Sequence, residues 1–236
     1  MGLQQSATNQ QQINHPQTNS CIQIFCDFDG TITERDMIIT LMEKFAPAGW
    51  EQLRDGVLNR QIPVQEGVGQ MFAMIDTRLR QNMIEYAQEI AKIRPGFSEF
   101  IEFVKKQKIE FYVTSGGMDF FVYPILQRWV DPSQIFCNRA DWTGDMVRVE
   151  WPYACDEQCT GGCGCCKPSL MRKFEHGCKQ IVIGDSVTDA KASRLADFVF
   201  ARSKLIDICQ QDGIPYQSYE TFFDIMEGLK TITESR

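Results

Sequence analysis

The chain of 236 residues is 43% hydrophobic and 23% charged, a balance that buries one good core with room for a small accessory domain. Its formal net charge of -7 argues against nucleic acid or an anionic membrane as a partner, and no run of about 18 apolar residues is present to span a bilayer. A small phosphorylated metabolite stays compatible, because a metal and one lysine can build a local positive pocket on an acidic protein.

Residues 1–20 are rich in Gln, Asn, Ser and Thr, with no apolar stretch, and read as a disordered tail and not as a signal peptide. With no export signal, the cytoplasm is the expected compartment. The apolar run Ile22–Cys26 then reads as a buried parallel strand, and Asp27-Phe28-Asp29-Gly30-Thr31 follows it directly. Residues two apart on extended backbone point the same way. Asp27 and Asp29 therefore converge beyond the strand's carboxyl end, where open α/β sheets place their ligands. Two carboxylates in a confined site repel, which favours a shared proton or a hard cation with oxygen ligands, Mg²⁺ being the natural choice. The same letters also spell a polar turn, and the rest of the chain has to decide.

Over 36–93 apolar residues recur at three-and-four spacing, in Met37, Ile38, Leu41, Met42 and Phe45 and again in Val64, Val68, Met71, Phe72 and Ile75. This predicts a helical insert with no strand, placed to act as a lid over the acidic loop. Strands and helices alternate again after Arg94-Pro95-Gly96. Residues 110–114 read as a strand running into Ser115-Gly116-Gly117, followed by a helix from Met118 to about Trp129. A hydroxyl and free N–H groups would there meet a helix N-terminus, which is an anion site or simply an N-cap. Trp142-Thr143-Gly144-Asp145 predicts a β-hairpin over 138–152. Lys167-Pro168 opens a helix expected to reach about His176. Residues 180–183 form a further strand ending in Gly184-Asp185, and a helix from Ser186 would bring Asp189 back toward Asp185.

Five of the ten cysteines fall together, as Cys155, Cys159, Cys163, Cys165 and Cys166. A thiolate site for structural Zn²⁺, free thiols packing a loop, and disulfides are the three readings. The Cys-x-Cys-Cys end is crowded for a tetrahedron. Neither His15 nor His176 has a spacing that recommends it as a further ligand.

In that order, Asp27-x-Asp29-Gly30-Thr31, Ser115-Gly116-Gly117, Lys167 and Asp185-x3-Asp189 resemble the haloacid dehalogenase superfamily of phosphohydrolases, in its phosphoserine phosphatase-like branch. The resemblance covers nearly everything after residue 20. Segments 66–72 and 115–124, with the cysteine run into Lys167-Pro168-Ser169, further resemble the family of 2-hydroxy-3-keto-5-methylthiopentenyl-1-phosphate phosphatases of methionine salvage. The resemblance implies a Rossmann-like parallel α/β core over 21–35 and 94–236, with a small helical cap over 36–93.

It also implies roles. Asp27 would attack phosphorus and Asp29 would act as general acid and base. Mg²⁺ would sit on Asp27, the Asp29 carbonyl and Asp185, with Asp189 behind them. Ser115, Gly116, Gly117 and Lys167 would hold the phosphate. Met71 stands where phosphoserine phosphatases carry a carboxylate-reading arginine, and Asp36 where they place a glutamate for the amine, which weakens the case for an amino-acid substrate. Met71 and Phe72 either face a thioether tail or pack the insert's own core. Phosphoethanolamine and phosphocholine phosphatases are the nearer rival reading, and a non-catalytic phospholigand-binding protein the more distant one.

Overall fold

The computed structural model describes residues 21–159, 161–174 and 177–234, so the tail over 1–20 and His176 lie outside the described residues. The chain enters through β1 (Ile22–Cys26), whose five residues are all buried. Gln23 is tolerated there because its amide donates to Glu110 Oε2 at 2.9 Å and its carbonyl accepts from Gln180 at 3.2 Å. An irregular turn over Phe28–Ile32 leads to four helices, α1 (Met37–Phe45), α2 (Trp50–Leu58), α3 (Val64–Phe72) and α4 (Arg80–Ile90). Asp36 caps α1 by accepting from the Ile39 N–H at 3.0 Å. The helical segment leaves and returns at one point, since Thr33 and Ile93 form an antiparallel bridge and the Arg94 N–H donates to Ile32 O at 2.8 Å.

After this come α5 (Phe97–Lys106), β2 (Glu110–Met118), α6 (Asp119–Leu126), β3 (Ile135–Asp141) and β4 (Arg148–Glu150). Then follow α7 (Lys167–Lys173), β5 (Lys179–Gly184), α8 (Ala190–Ser193), β6 (Phe198–Ala201), α9 (Lys204–Asp212), β7 (Tyr216–Ser218) and α10 (Phe222–Glu234). α5 shows why such helices form here. Phe97, Phe100, Ile101 and Val104 fall on one buried face, Lys105 and Lys106 sit in the last turn against the negative end of the helix dipole, and Phe97 and Phe100 meet Phe222 of α10 with ring centroids 5.0 Å apart.

The sheet runs β4-β3-β2-β1-β5-β6-β7, parallel throughout except for β4, which pairs antiparallel with β3 as the predicted hairpin. The order reverses at β1, so β2 and β5 flank it and a crevice opens beyond its carboxyl end. The Rossmann-like α/β core anticipated from the sequence is therefore present. A disulfide between Cys21 and Cys178 ties the starts of β1 and β5, a link that no cysteine spacing announced and that a reducing compartment disfavours. Among the described residues no helix is long and apolar enough to cross a membrane.

Three boundaries differ from expectation. Ser115, Gly116 and Gly117 remain in β2, whose register with β3 shifts between Thr114 and Met118, and α6 starts only at Asp119. A glycine pair accommodates such a bulge, and the strand stays extended through it. α7 stops at Lys173, short of His176. α8 begins at Ala190, because residues 186–189 form a turn closed on itself, with the Ser186 N–H donating to the Asp189 carboxylate, the Thr188 N–H to Ser186 Oγ and the Asp189 N–H to Ser186 O.

Candidate active site

The ladder between β1 and β5 continues one step beyond Cys26, with the Asp27 N–H donating to Ile183 O at 2.9 Å, so Asp27 is held where the strands end. It is buried, 5% exposed. Lys167, 4% exposed at the start of α7, reaches across to place Nζ 2.7 Å from Asp27 Oδ1 and in contact with Asp189 Oδ1. The other oxygen of Asp189 accepts from the N–H groups of Asp185 and Ser186, both at 3.1 Å. Asp189 thus holds the lysine and the turn together. Oxygens of Asp27, Asp185 and Asp189 all lie within 4.8 Å of one another.

One lysine does not neutralise three carboxylates. Burial, then the charge of Asp189, pushes Asp27 up to about 7 despite Lys167. Burial, then the charges of Asp27 and Asp189, pushes Asp185 up to about 8. Burial draws the Lys167 ammonium down, but Asp189 and Asp27 outweigh it and raise its affinity for the proton. A group of buried oxygens short of positive charge fits a hard divalent cation of the Mg²⁺ kind.

Asp29 has a different environment. Its Oδ1 accepts from the Met37 N–H at 2.8 Å and its Oδ2 from Ser115 Oγ at 3.4 Å, away from the Asp27, Asp185 and Asp189 group. Burial, reinforced by Asp36 and Asp27, holds its carboxyl well above the usual carboxylate range. Gly30 between these residues has φ +75°, and a Cβ there would lie 2.5 Å from Asp185 Oδ2, so only glycine lets the loop pass.

Ser115 is fully buried and its Oγ also accepts the Gly117 N–H at 2.8 Å, so that N–H, named from the sequence as a phosphate donor, is engaged inside the strand. Gly116 borders a cavity of about 460 Å³, with Lys167 and Cys165 on the same side. Val57, Ile62, Pro63 and Val64, from the α2–α3 turn, form the apolar wall of this cavity, and Arg60, Lys191 and Arg194 also line it. Met71 is not among its lining residues. It is 2% exposed and packs in the core, as does Phe72, whose ring meets Phe120 edge-on at 6.3 Å. Of the two readings open for these side chains, packing is the one observed. Asp36 likewise faces solvent as a helix cap and lies outside the cavity lining. A second hollow of about 510 Å³, bordered by Glu66, Gln70 and Trp151, contains none of the acidic cluster.

Two positions went unrecognised in the sequence. Arg94 is buried, and donates from Nη2 to Gly30 O at 2.6 Å and from Nε to Thr31 O at 2.7 Å, pinning the acidic loop by its backbone. Asn138 on β3 donates to Gly116 O at 2.8 Å and fixes the bulged strand end. Arg94 stands 64 residues from Gly30. No local signal marks such a contact beyond an arginine at the point where the helical segment returns.

Residues 24–194 match the family model of haloacid dehalogenase-like hydrolases. The chain is 48% identical over 208 residues to the 2-hydroxy-3-keto-5-methylthiopentenyl-1-phosphate phosphatase of Geobacillus kaustophilus (strain HTA426), covering 88% of this chain and 94% of that protein. It is 50% identical over 214 residues to the protein of the same name in Bacillus mycoides (strain KBAB4), covering 90% and 98%. Among solved structures, phosphoserine phosphatase from T. onnurineus superposes with a TM-score of 0.66 at 14% identity, over 93% of this chain and 98% of that one, a likeness of fold.

Proposed function

The chain belongs to the haloacid dehalogenase-like hydrolases, and from that premise we propose that it hydrolyses 2-hydroxy-3-keto-5-methylthiopentenyl-1-phosphate in the cytoplasm. The products are 1,2-dihydroxy-3-keto-5-methylthiopentene and phosphate. The observation that carries the reading is the cavity, which is lined both by the lysine paired with Asp27 and by the apolar side chains of Val57, Ile62 and Val64. The lysine suits a phosphate and the apolar residues a thioether tail.

Phosphate monoesters hydrolyse so slowly unaided that nucleophile, charge neutralisation and leaving-group protonation have to act together. Asp27 attacks phosphorus through a carboxylate oxygen, and the ester oxygen departs, leaving a phosphoaspartate. Asp29, whose surroundings raise its affinity for a proton, donates a proton to the departing oxygen. As a carboxylate it then takes a proton from the water that attacks the phosphoaspartate, which releases phosphate and restores both residues. Lys167 offsets the negative charge gathered around Asp27, while Ser115 and the Gly116 N–H serve the phosphate oxygens. Asp27, Asp185 and the Asp29 carbonyl would hold Mg²⁺, which when bound would add charge neutralisation at the transferred group. Asp189 positions Lys167.

Arg60 and Lys191 beside the cavity disfavour the cationic head group of phosphocholine. A Mg²⁺-dependent assay across the enol phosphate, phosphocholine and phosphoserine tests the proposal. The enol phosphate should show the highest kcat/KM, and a higher value for either of the others would overturn the substrate assignment.

A further inference from the structure

The cysteine loop takes no part in these steps, yet it is built with more order than a surface connection requires. Between β4 and α7 the described residues form neither helix nor strand, and few backbone hydrogen bonds hold them, among them Cys159 N–H to Asp156 O at 3.1 Å and Cys166 N–H to Tyr153 O at 2.8 Å. A structureless stretch of this length calls for another source of order. The Sγ atoms of Cys155, Cys159, Cys163 and Cys166 all lie within 4.8 Å of one another. Cys165 is excluded from the group and contacts Phe136 O at 3.5 Å instead. With Cys165 removed, the crowded end becomes Cys163-x2-Cys166, and the three intervals of x3, x3 and x2 all fall within the spacing of tetrahedral thiolate sites.

Distances distinguish a metal site from a disulfide pair. Cys159 and Cys163 sulfurs stand 3.7 Å apart. Four thiolates bonded at about 2.3 Å to one tetrahedral ion would be separated by about 3.8 Å, whereas a disulfide needs about 2.05 Å. The surroundings suit thiolates as well. Ser169 Oγ donates to Cys166 Sγ at 3.0 Å, and Lys191 Nζ lies 3.7 and 3.8 Å from the sulfurs of Cys159 and Cys163.

We propose that Cys155, Cys159, Cys163 and Cys166 hold a structural Zn²⁺, and that this ion orders two sides of the catalytic cavity at once. The loop runs directly into Lys167. It also docks on the apolar wall, because Gly162 O accepts the Gln65 N–H at 3.0 Å and a Cβ at Gly162 would fall 2.9 Å from Pro63. A closed tetrathiolate site leaves no open position for chemistry, so the role is mechanical.

Metal content of the full chain, purified under thiol reductant and dialysed, tests this without reference to any substrate. One zinc per chain is expected, and replacement by Co²⁺ should give tetrahedral d–d bands with thiolate charge transfer. Cys155→Ser and Cys163→Ser should lose the ion, with kcat/KM falling on the order of a hundredfold as Lys167 shifts. Wild-type protein with zinc well below one per chain, or with iron in its place, would overturn the proposal whatever the variants do. So would zinc that survives in Cys155→Ser and Cys163→Ser.

Discussion

Replacing Lys167 with methionine keeps the length of the side chain and removes its charge, leaving Asp27 and Asp189 buried without their cation. Breaking a buried pair from one side costs about 3–5 kcal/mol. For a chain of this size each kcal/mol moves Tm by roughly 2–4 °C, so the metal-free variant should melt roughly 6–20 °C lower at pH 8. The pH dependence is the sharper test. A carboxyl whose folded pKa is raised binds its proton more tightly in the folded chain, so its penalty is absent below about 3.8, grows with pH, and is complete above the folded pKa, about 7 for Asp27. Lys167 is what draws that pKa down, so without it the penalty keeps growing above pH 7. Melting curves of metal-free wild type and variant at pH 5 and pH 8 measure the gap. It should be larger at pH 8 and shrink there on addition of Mg²⁺. An equal or larger gap at pH 5 would refute the electrostatic reasoning.

Asp27→Asn should abolish turnover while raising the metal-free Tm at pH 8, since it removes one of three crowded carboxylates; appreciable residual phosphatase activity would rule out the covalent route. Arg94→Met strips the backbone carbonyls of Gly30 and Thr31 of charged donors, and should lower stability by about 3 kcal/mol, read by urea unfolding, with a parallel loss of Mg²⁺ affinity. Ile62→Ala trims the apolar wall and should reduce kcat/KM for the enol phosphate roughly tenfold, while activity on phosphoserine, which lacks the apolar tail, changes little.

How far the sequence reaches is clearest at the acidic loop. Asp27 and Asp29, Asp185 and Asp189, and Lys167 all follow strands or open helices, and their placement rests on local rules of strand period and sheet order. These rules operate within a few residues and are readable in one dimension. Helix starts were less legible, because Asp189 closes a turn before α8 by accepting from the N–H groups of Asp185 and Ser186, and the glycines after Ser115 let β2 run on.

By itself the sequence determined the α/β class, the acidic motif at the end of β1 and the helical character of the segment after it, since each is written in periodicities and spacings of a few residues. Only the tertiary structure decided which side chains share a volume. It set Met71 in the core and put Ile62 and Val64 on the cavity wall. It brought Arg94 under a loop 64 residues away, joined Cys21 to Cys178, and picked four cysteines out of five. The physical reason is that burial and convergence depend on how whole helices pack. Helical spacing marks Met71 and Val64 alike, and packing alone distinguishes them.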